Sequence, residues 1–107
     1  MKHKELDREF KRKNFTFKQF RRTGDVAIYE KISKIGAKHY EVIVIGRHNG
    51  YVLGGVPIEP AETYPSDSMW GLKGYTYKEL ADAEKRFNSL IQLELQRAEK
   101  KSKKSVE

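Results

Sequence analysis

The chain has 107 residues, a formal net charge of +7 and no cysteine. This length is typical of one domain, and the lack of cysteine excludes disulfides, thiolate metal sites and cysteine nucleophiles. Charged residues make up 35% of the chain, but five Phe, six Tyr and one Trp favour a folded domain over a disordered chain. The N-terminus has no apolar signal segment, and the longest apolar run, 42–45, is too short to span a membrane. We therefore expect a cytoplasmic protein with no membrane partner.

Basic side chains are concentrated at the two ends of the chain. Residues 1–22 hold nine Lys or Arg and three acids, residues 23–95 hold eight and ten, and residues 96–107 hold five and two. This distribution predicts a basic N-terminal segment over 1–22, a single α+β domain over 23–98 and a basic disordered tail over 99–107.

The N-terminal segment contains two hydrophobic patterns. Leu6 and Phe10 are four residues apart, which predicts a short helix within residues 2–13, with a strand as the alternative. From Asn14 onwards Phe15 and Phe17 alternate with polar residues, which is typical of a half-buried strand.

The next segments predict a three-stranded antiparallel meander. Residues 26–32 and 38–47 are rich in β-branched and aromatic residues, and the second of these is apolar on both faces, so we place it centrally. Asn49-Gly50 is a strong signal for a hairpin turn, and residues 51–53 follow as the return strand. Residues 56–58, after Gly54-Gly55, are expected to continue it at an edge.

A long helix is predicted after a loop over residues 59–74 that carries Trp70. Thr76 and Glu79 match a capping box, and Tyr75 and Leu80 match a hydrophobic staple, so the helix should begin at Thr76 and run to about residue 98. Its apolar positions recur with helical spacing and would face the sheet. For Trp70 we favour burial over the helix start, and the alternative is an exposed aromatic anchor.

No pattern of catalytic or cofactor-binding residues is present. His3, His39 and His48 are not at metal-ligand spacing, and there is no nucleophile elbow or phosphate-binding loop. We therefore predict a protein without metal or cofactor that acts by binding and is not an enzyme.

The leading hypothesis is binding of DNA or RNA through the basic N-terminal segment. Cations that contact phosphates release counterions, and neighbouring aromatic side chains can stack on bases. The predicted site is Lys11, Arg12, Lys13, Phe15, Phe17, Lys18, Arg21 and Arg22.

The alternative hypothesis is a protein that binds and modulates another protein. Exposed aromatic and apolar side chains would form that contact, namely Tyr64, Met69, Trp70, Leu93 and Leu95. The same helix end offers a contact for a second copy, so a homodimer is a further prediction.

Two sets of short stretches in the sequence resemble known protein families. Several short stretches over residues 24–92, including 26–31, 40–45, Tyr64-Pro65-Ser66 and 74–77, resemble small proteins of unassigned function encoded by tailed bacteriophages. This resemblance implies an accessory phage protein in the bacterial cytoplasm, and under the alternative hypothesis its partner would be a host protein. The order of residues 40–42, Trp70-Gly71 and 83–87 is also similar to the WGR domain, which implies nucleic-acid binding.

Overall fold

The computed structural model describes the backbone of residues 2–106 and the side chains of residues 2–97. Its strands are β1 (Glu9–Arg12), β2 (Phe15–Thr23), β3 (Val26–Ser33), β4 (Lys38–Val44), β5 (Gly46–His48), β6 (Tyr51–Leu53), β7 (Val56–Ile58), β8 (Ala61–Thr63) and β9 (Gly74–Tyr77). The main sheet has five strands in the order β1-β2-β3-β4-β9, and all neighbours are antiparallel.

One face of the main sheet is covered by the helix α1 (Leu80–Val106), which packs on β3, β4 and β9. Strand side chains alternate between faces, so only every second residue of β3 and β4 belongs to this layer. Its buried members are Val26, Ile28, Val42, Val44, Ala83, Phe87 and Leu90. The predicted α+β fold, in which antiparallel strands pack against a C-terminal helix, is confirmed at this level.

The opposite face has a second apolar layer, which no α-helix covers in the described part of the chain. The layer is built from Phe17, Ala27, Tyr29, Ile43 and Ile45, with Leu6, Phe10, Phe15, Tyr64 and Trp70 packed on it. The fully buried Tyr29 hydroxyl donates to the carbonyl of Asp7 at 2.8 Å and accepts from Gln19 at 3.0 Å. The N-terminal segment and the loop before β9 therefore form the cover on this side.

The meander is larger than predicted, with five strands instead of three. β1 pairs with β2 in a register that places Phe10 opposite Phe17, so the helix predicted within residues 2–13 is wrong and the strand alternative is right. The two stacked rings, 4.9 Å apart, bury both apolar side chains at once, which a thin helical stripe could not do. The basic N-terminal segment thus supplies two strands of the sheet.

Residues 46–63 form a hairpin, called here the arm, in which β5 pairs with β8 and β6 with β7. Its turn is Gly54-Gly55, whose φ angles of 55° and 81° suit a type I′ turn. The turn predicted at Asn49-Gly50 is therefore wrong, and residues 51–53 do not return along β4. The Gly-Gly turn allows both ladders of the arm to form, whereas a turn at Asn49-Gly50 would have ended the arm after β5.

The start of the helix also differs from the prediction. Thr76 lies in β9 opposite Glu41, and α1 begins at Leu80, so the capping box and the staple are both wrong. Pairing with the edge of β4 satisfies the backbone groups of residues 74–77 and places Tyr75 and Tyr77 against the helix-side core. That pairing outweighs a local cap, which contributes about 1 kcal/mol.

The helix α1 runs from one end of the main sheet to the other. α1 starts beside the end of β9, at the sheet end that carries the β1–β2 turn with Lys13. Farther along the helix, Ile91 and Leu95 line a cavity with Asp25 of the β2–β3 turn, at the other sheet end. The α1 backbone then continues to Val106, past the end predicted near residue 98. Side chains of the predicted tail, 99–107, lie outside the described residues.

A cluster of ion pairs fixes the arm to the main sheet. Glu62 of β8 accepts two hydrogen bonds from Arg22 of β2, at 2.8 and 2.7 Å, and one from Arg47 of β5 at 3.0 Å. Arg47 also donates twice to Asp25, and the Leu6 amide donates to Glu62 at 2.9 Å. The Arg22 hydrogen bonds hold the pKa of Glu62 at about 2, well below its ordinary value of 4.5.

We predict that Glu62→Gln lowers the free energy of unfolding at neutral pH by about 3 kcal/mol, because it leaves Arg22 and Arg47 without their shared carboxylate. Because the folded-state pKa is depressed, the stabilisation is present above pH 4.5 and is lost as the pH falls from about 4.5 to about 2. Urea unfolding measured across this pH range checks both statements. Glu59→Gln, at an exposed position of the same arm, is the matched control and should change stability by about 0.5 kcal/mol or less. Equal losses in the two variants would contradict the account.

Candidate functional site

A cleft lies on the sheet face that lacks the helix. It has a volume of about 690 Å³ and is bounded by the β1–β2 turn, the face of the sheet and the loop between β8 and β9. Ligand pockets commonly measure about 300–1,000 Å³. Its lining combines aromatic side chains, three cations, the buried carboxylate of Glu41 and the exposed carboxylate of Asp67.

The floor of the cleft is the carboxylate of Glu41, whose side chain is only 5% exposed. Glu41 lies on β4 directly opposite Thr76 of β9, so both side chains point to this face. Its Oε1 accepts a 2.6 Å hydrogen bond from the Tyr64 hydroxyl, and its Oε2 accepts a 3.3 Å bond from Thr76. The Lys31 ammonium lies 3.6 Å from Oε2 and compensates the buried charge.

Trp70 forms one wall of the cleft, and contacts of both its six-membered ring and its indole nitrogen fix its position. Its ring lies over Gly74, where a Cβ atom would come within 2.4 Å of the indole, so that position must lack a side chain. Its Nε1–H donates to the Thr76 hydroxyl at 3.0 Å, and that hydroxyl in turn donates to Glu41. Trp70 also stacks on Tyr64 with ring centroids 6.4 Å apart. The wall and the floor are therefore one connected hydrogen-bonded unit.

The rim of the cleft carries three cations. Lys31 lies 4.4 Å from the ring centroid of Phe15, and Arg12 lies 5.8 Å from that of Tyr64. Lys13 occupies the β1–β2 turn with a φ of 57°, and it also lines the cleft. Among the described side chains Arg12 and Lys13 make no salt bridge. Their charge is therefore available to an anion.

Tyr64 acts as a hydrogen-bond donor at the floor. Burial, followed by the charge of Glu41, raises the pKa of its hydroxyl far above the ordinary value of 10.0. The proton therefore stays on Tyr64 at neutral pH and remains directed at Glu41, which is left as the acceptor of the cleft.

The structure brings together half of the predicted nucleic-acid site. Of its eight residues, the four that line the cleft are Arg12, Lys13, Phe15 and Phe17. The other four lie elsewhere. Arg22 belongs to the ion cluster at the arm, and Arg21 packs against Phe87 of α1 and lies 3.7 Å from Glu84. Lys11 and Lys18 lie on the helix-side face of β1 and β2, because they alternate with Phe10 and Phe17, and Lys18 pairs with Glu9. The eight residues thus do not form one surface.

The residues predicted for protein binding are also divided between two faces. Tyr64 and Trp70 line the cleft, and the half-buried Met69 lines a neighbouring cavity. Leu93 and Leu95 are exposed on α1, on the other side of the sheet. Trp70 is half-buried, as expected for a packing role, but the predicted position over the helix start is wrong.

The sequence interpretation missed Lys31, Glu41 and Thr76. Glu41 had a detectable signal, since it is the one charged residue within the apolar stretch 40–45. Buried carboxylates are rare unless they are paired. The partners themselves are set by strand register, which the sequence does not reveal.

No family model, curated protein or solved structure matches the chain. The resemblances to phage proteins and to the WGR domain therefore stay predictions. No helix in the described range is long and apolar enough to cross a membrane. Likewise, among the described residues no three His, Asp or Glu side chains are grouped as a metal site requires.

We predict that Gly74→Ala destabilises the protein by about 2 kcal/mol, because the added methyl group collides with the Trp70 ring. In a Trp70→Ala background the same change should have an effect below about 0.5 kcal/mol, since the colliding atoms are gone. Denaturant unfolding of the four proteins in this cycle measures the coupling. An equal effect of Gly74→Ala in both backgrounds would contradict the described wall.

Proposed function

We propose that the protein binds single-stranded nucleic acid in this cleft, and that it acts by binding and not by catalysis. The observation that carries the proposal is the convergence at one opening of aromatic walls with Arg12 and Lys13, two cations that make no salt bridge to any described side chain. Stacking surfaces beside a positive rim are the usual features of sites that hold single strands without sequence-specific pairing.

The aromatic walls supply the stacking part of the site. Phe15 and Trp70 are half-buried, so part of each ring faces the cleft. Stacking of a base on an aromatic side chain contributes about 1–3 kcal/mol. Double-stranded DNA presents its bases only by their edges, so this arrangement favours a single strand over a duplex.

The cationic rim supplies the phosphate contacts. Arg12 and Lys13 line the opening, whereas Lys31 is engaged with Glu41. The proposal thus depends on the N-terminal cations alone. With about two phosphates contacted, the logarithm of the affinity should fall with the logarithm of salt concentration with a slope of about −1.4.

We expect a fluorescein-labelled 12-residue oligothymidylate to bind at 50 mM salt and to bind about sevenfold more weakly at 200 mM. Arg12→Gln should weaken the complex several-fold at low salt, because it removes one phosphate contact and the cation over Tyr64. Lys11→Gln changes the net charge equally but lies on the opposite face, so its affinity should stay within twofold of the unchanged protein. Fluorescence anisotropy measures all three.

The proposal fails if no binding occurs at 50 mM salt, or if binding does not weaken as salt rises. It also fails if Arg12→Gln and Lys11→Gln weaken the complex equally, because net charge would then account for the effect without the cleft.

A second candidate function is binding of a protein partner, which a phage accessory protein would find in its host. The arm favours it, because residues 49–58 contain no charged side chain in a chain that is 35% charged. Tyr51, Val52, Leu53 and Val56 of the arm are all more than half exposed. Exposed apolar patches of this kind mark interaction sites.

We expect the unchanged protein to retain a partner protein from nuclease-treated host lysate, and the Val52→Asp variant to lose that partner. The Arg12→Gln variant is the matched control and should retain it. Retention by both variants, or by neither, would exclude the arm as the contact.

A further inference from the structure

The floor of the cleft presents a particular order of hydrogen-bonding groups. Glu41 offers two carboxylate oxygens, which only accept, and the Lys31 ammonium beside them only donates. Ionised carboxylates can accept about four hydrogen bonds, and the described partners of Glu41 are one each from Tyr64, Thr76 and Lys31. At least one acceptor position therefore remains.

Two of these partners are held loosely. The bond from Thr76 is 3.3 Å long and the Lys31 ammonium lies at 3.6 Å, both longer than the usual charge-assisted distance of about 2.7–2.9 Å. Only the 2.6 Å bond from Tyr64 is short. A ligand can take acceptor positions on Glu41 while Lys31 turns towards the ligand, and Tyr64 stays in place.

Across the floor of the cleft the hydrogen-bonding groups therefore run in the order acceptor, acceptor and donor, from the two Glu41 oxygens to the Lys31 ammonium. Among the common bases, guanine alone has two adjacent N–H donors, N1–H and the N2 amino group, followed by the O6 acceptor on its Watson–Crick edge. Cytosine and adenine present a single donor group on that edge, and uracil and thymine present one N–H between two carbonyls. Single-stranded bases expose this edge, so it is open to side chains.

We propose that the cleft selects guanine, with Glu41 accepting from N1–H and the N2 amino group and Lys31 donating to O6. This inference rests on the proposed function and adds a base preference to it. The aromatic walls would stack on any base, so the preference depends on the floor.

The test uses oligothymidylate 9-mers that carry one central base, which is guanine, hypoxanthine, adenine, cytosine or thymine. Hypoxanthine differs from guanine only by the missing N2 amino group. We expect the guanine strand to bind the unchanged protein about tenfold more tightly than the hypoxanthine strand at 50 mM salt, because one charged acceptor loses its donor. The comparison needs no variant, so it stands even where a substitution at Glu41 disturbs folding.

Two variants then locate the preference. Glu41→Gln should abolish the difference between guanine and hypoxanthine, because the amide offers only one acceptor. Arg12→Gln should weaken every strand but preserve the ratio, since Arg12 lies at the rim.

Free guanosine monophosphate separates two sources of the same base. If the ligand is a strand, the nucleotide should compete only at concentrations at least tenfold above those of the guanine 9-mer. If the nucleotide competes at the same concentration as the 9-mer, guanine selection stands, but the proposal that the ligand is a single strand is wrong. Salt-dependent binding with equal affinity for all five strands would overturn guanine selection and leave the proposed function standing. Absence of binding to every strand and to the nucleotide would overturn both.

Discussion

The fold depends on the need to bury β4 on both of its faces. Val42 and Val44 point to one face and Ile43 and Ile45 to the other, and all four are buried. α1 covers only the first of these faces. The second must be covered by irregular chain, namely the N-terminal segment and the loop before β9. Two separate covers that meet over one sheet leave a gap between them, and that gap is the cleft.

The buried charge of Glu41 determines how the second cover is arranged. A carboxylate in this position is tolerated only when donors surround it, and three different elements supply them. Tyr64 comes from the loop that follows the arm, Thr76 from the edge strand β9 and Lys31 from β3. The same contacts hold Trp70 in place through Thr76. Stability of the cover and chemistry of the cleft therefore share one set of side chains.

Hydrophobic patterns in the sequence were sufficient to predict the parts of the fold that burial determines. It predicted nearly all of β3, the whole of β4 and the apolar face of α1, because hydrophobic periodicity reports burial directly. It failed at Asn49-Gly50 and at Thr76, where a good local signal lost to strand pairing farther along the chain. For the cleft it predicted the cations and aromatics of the first hairpin. It could not predict the floor, since Glu41 meets Lys31 and Thr76 only through register.

A single strand that occupies the cleft would contact Trp70, which reports on it directly because it is the sole tryptophan of the chain. The decisive measurement is its intrinsic fluorescence during titration with an unlabelled single-stranded oligonucleotide at 50 mM salt. The account predicts saturable quenching with the same midpoint as the anisotropy titration. An unchanged emission while the anisotropy rises would place the strand elsewhere on the protein and contradict the account.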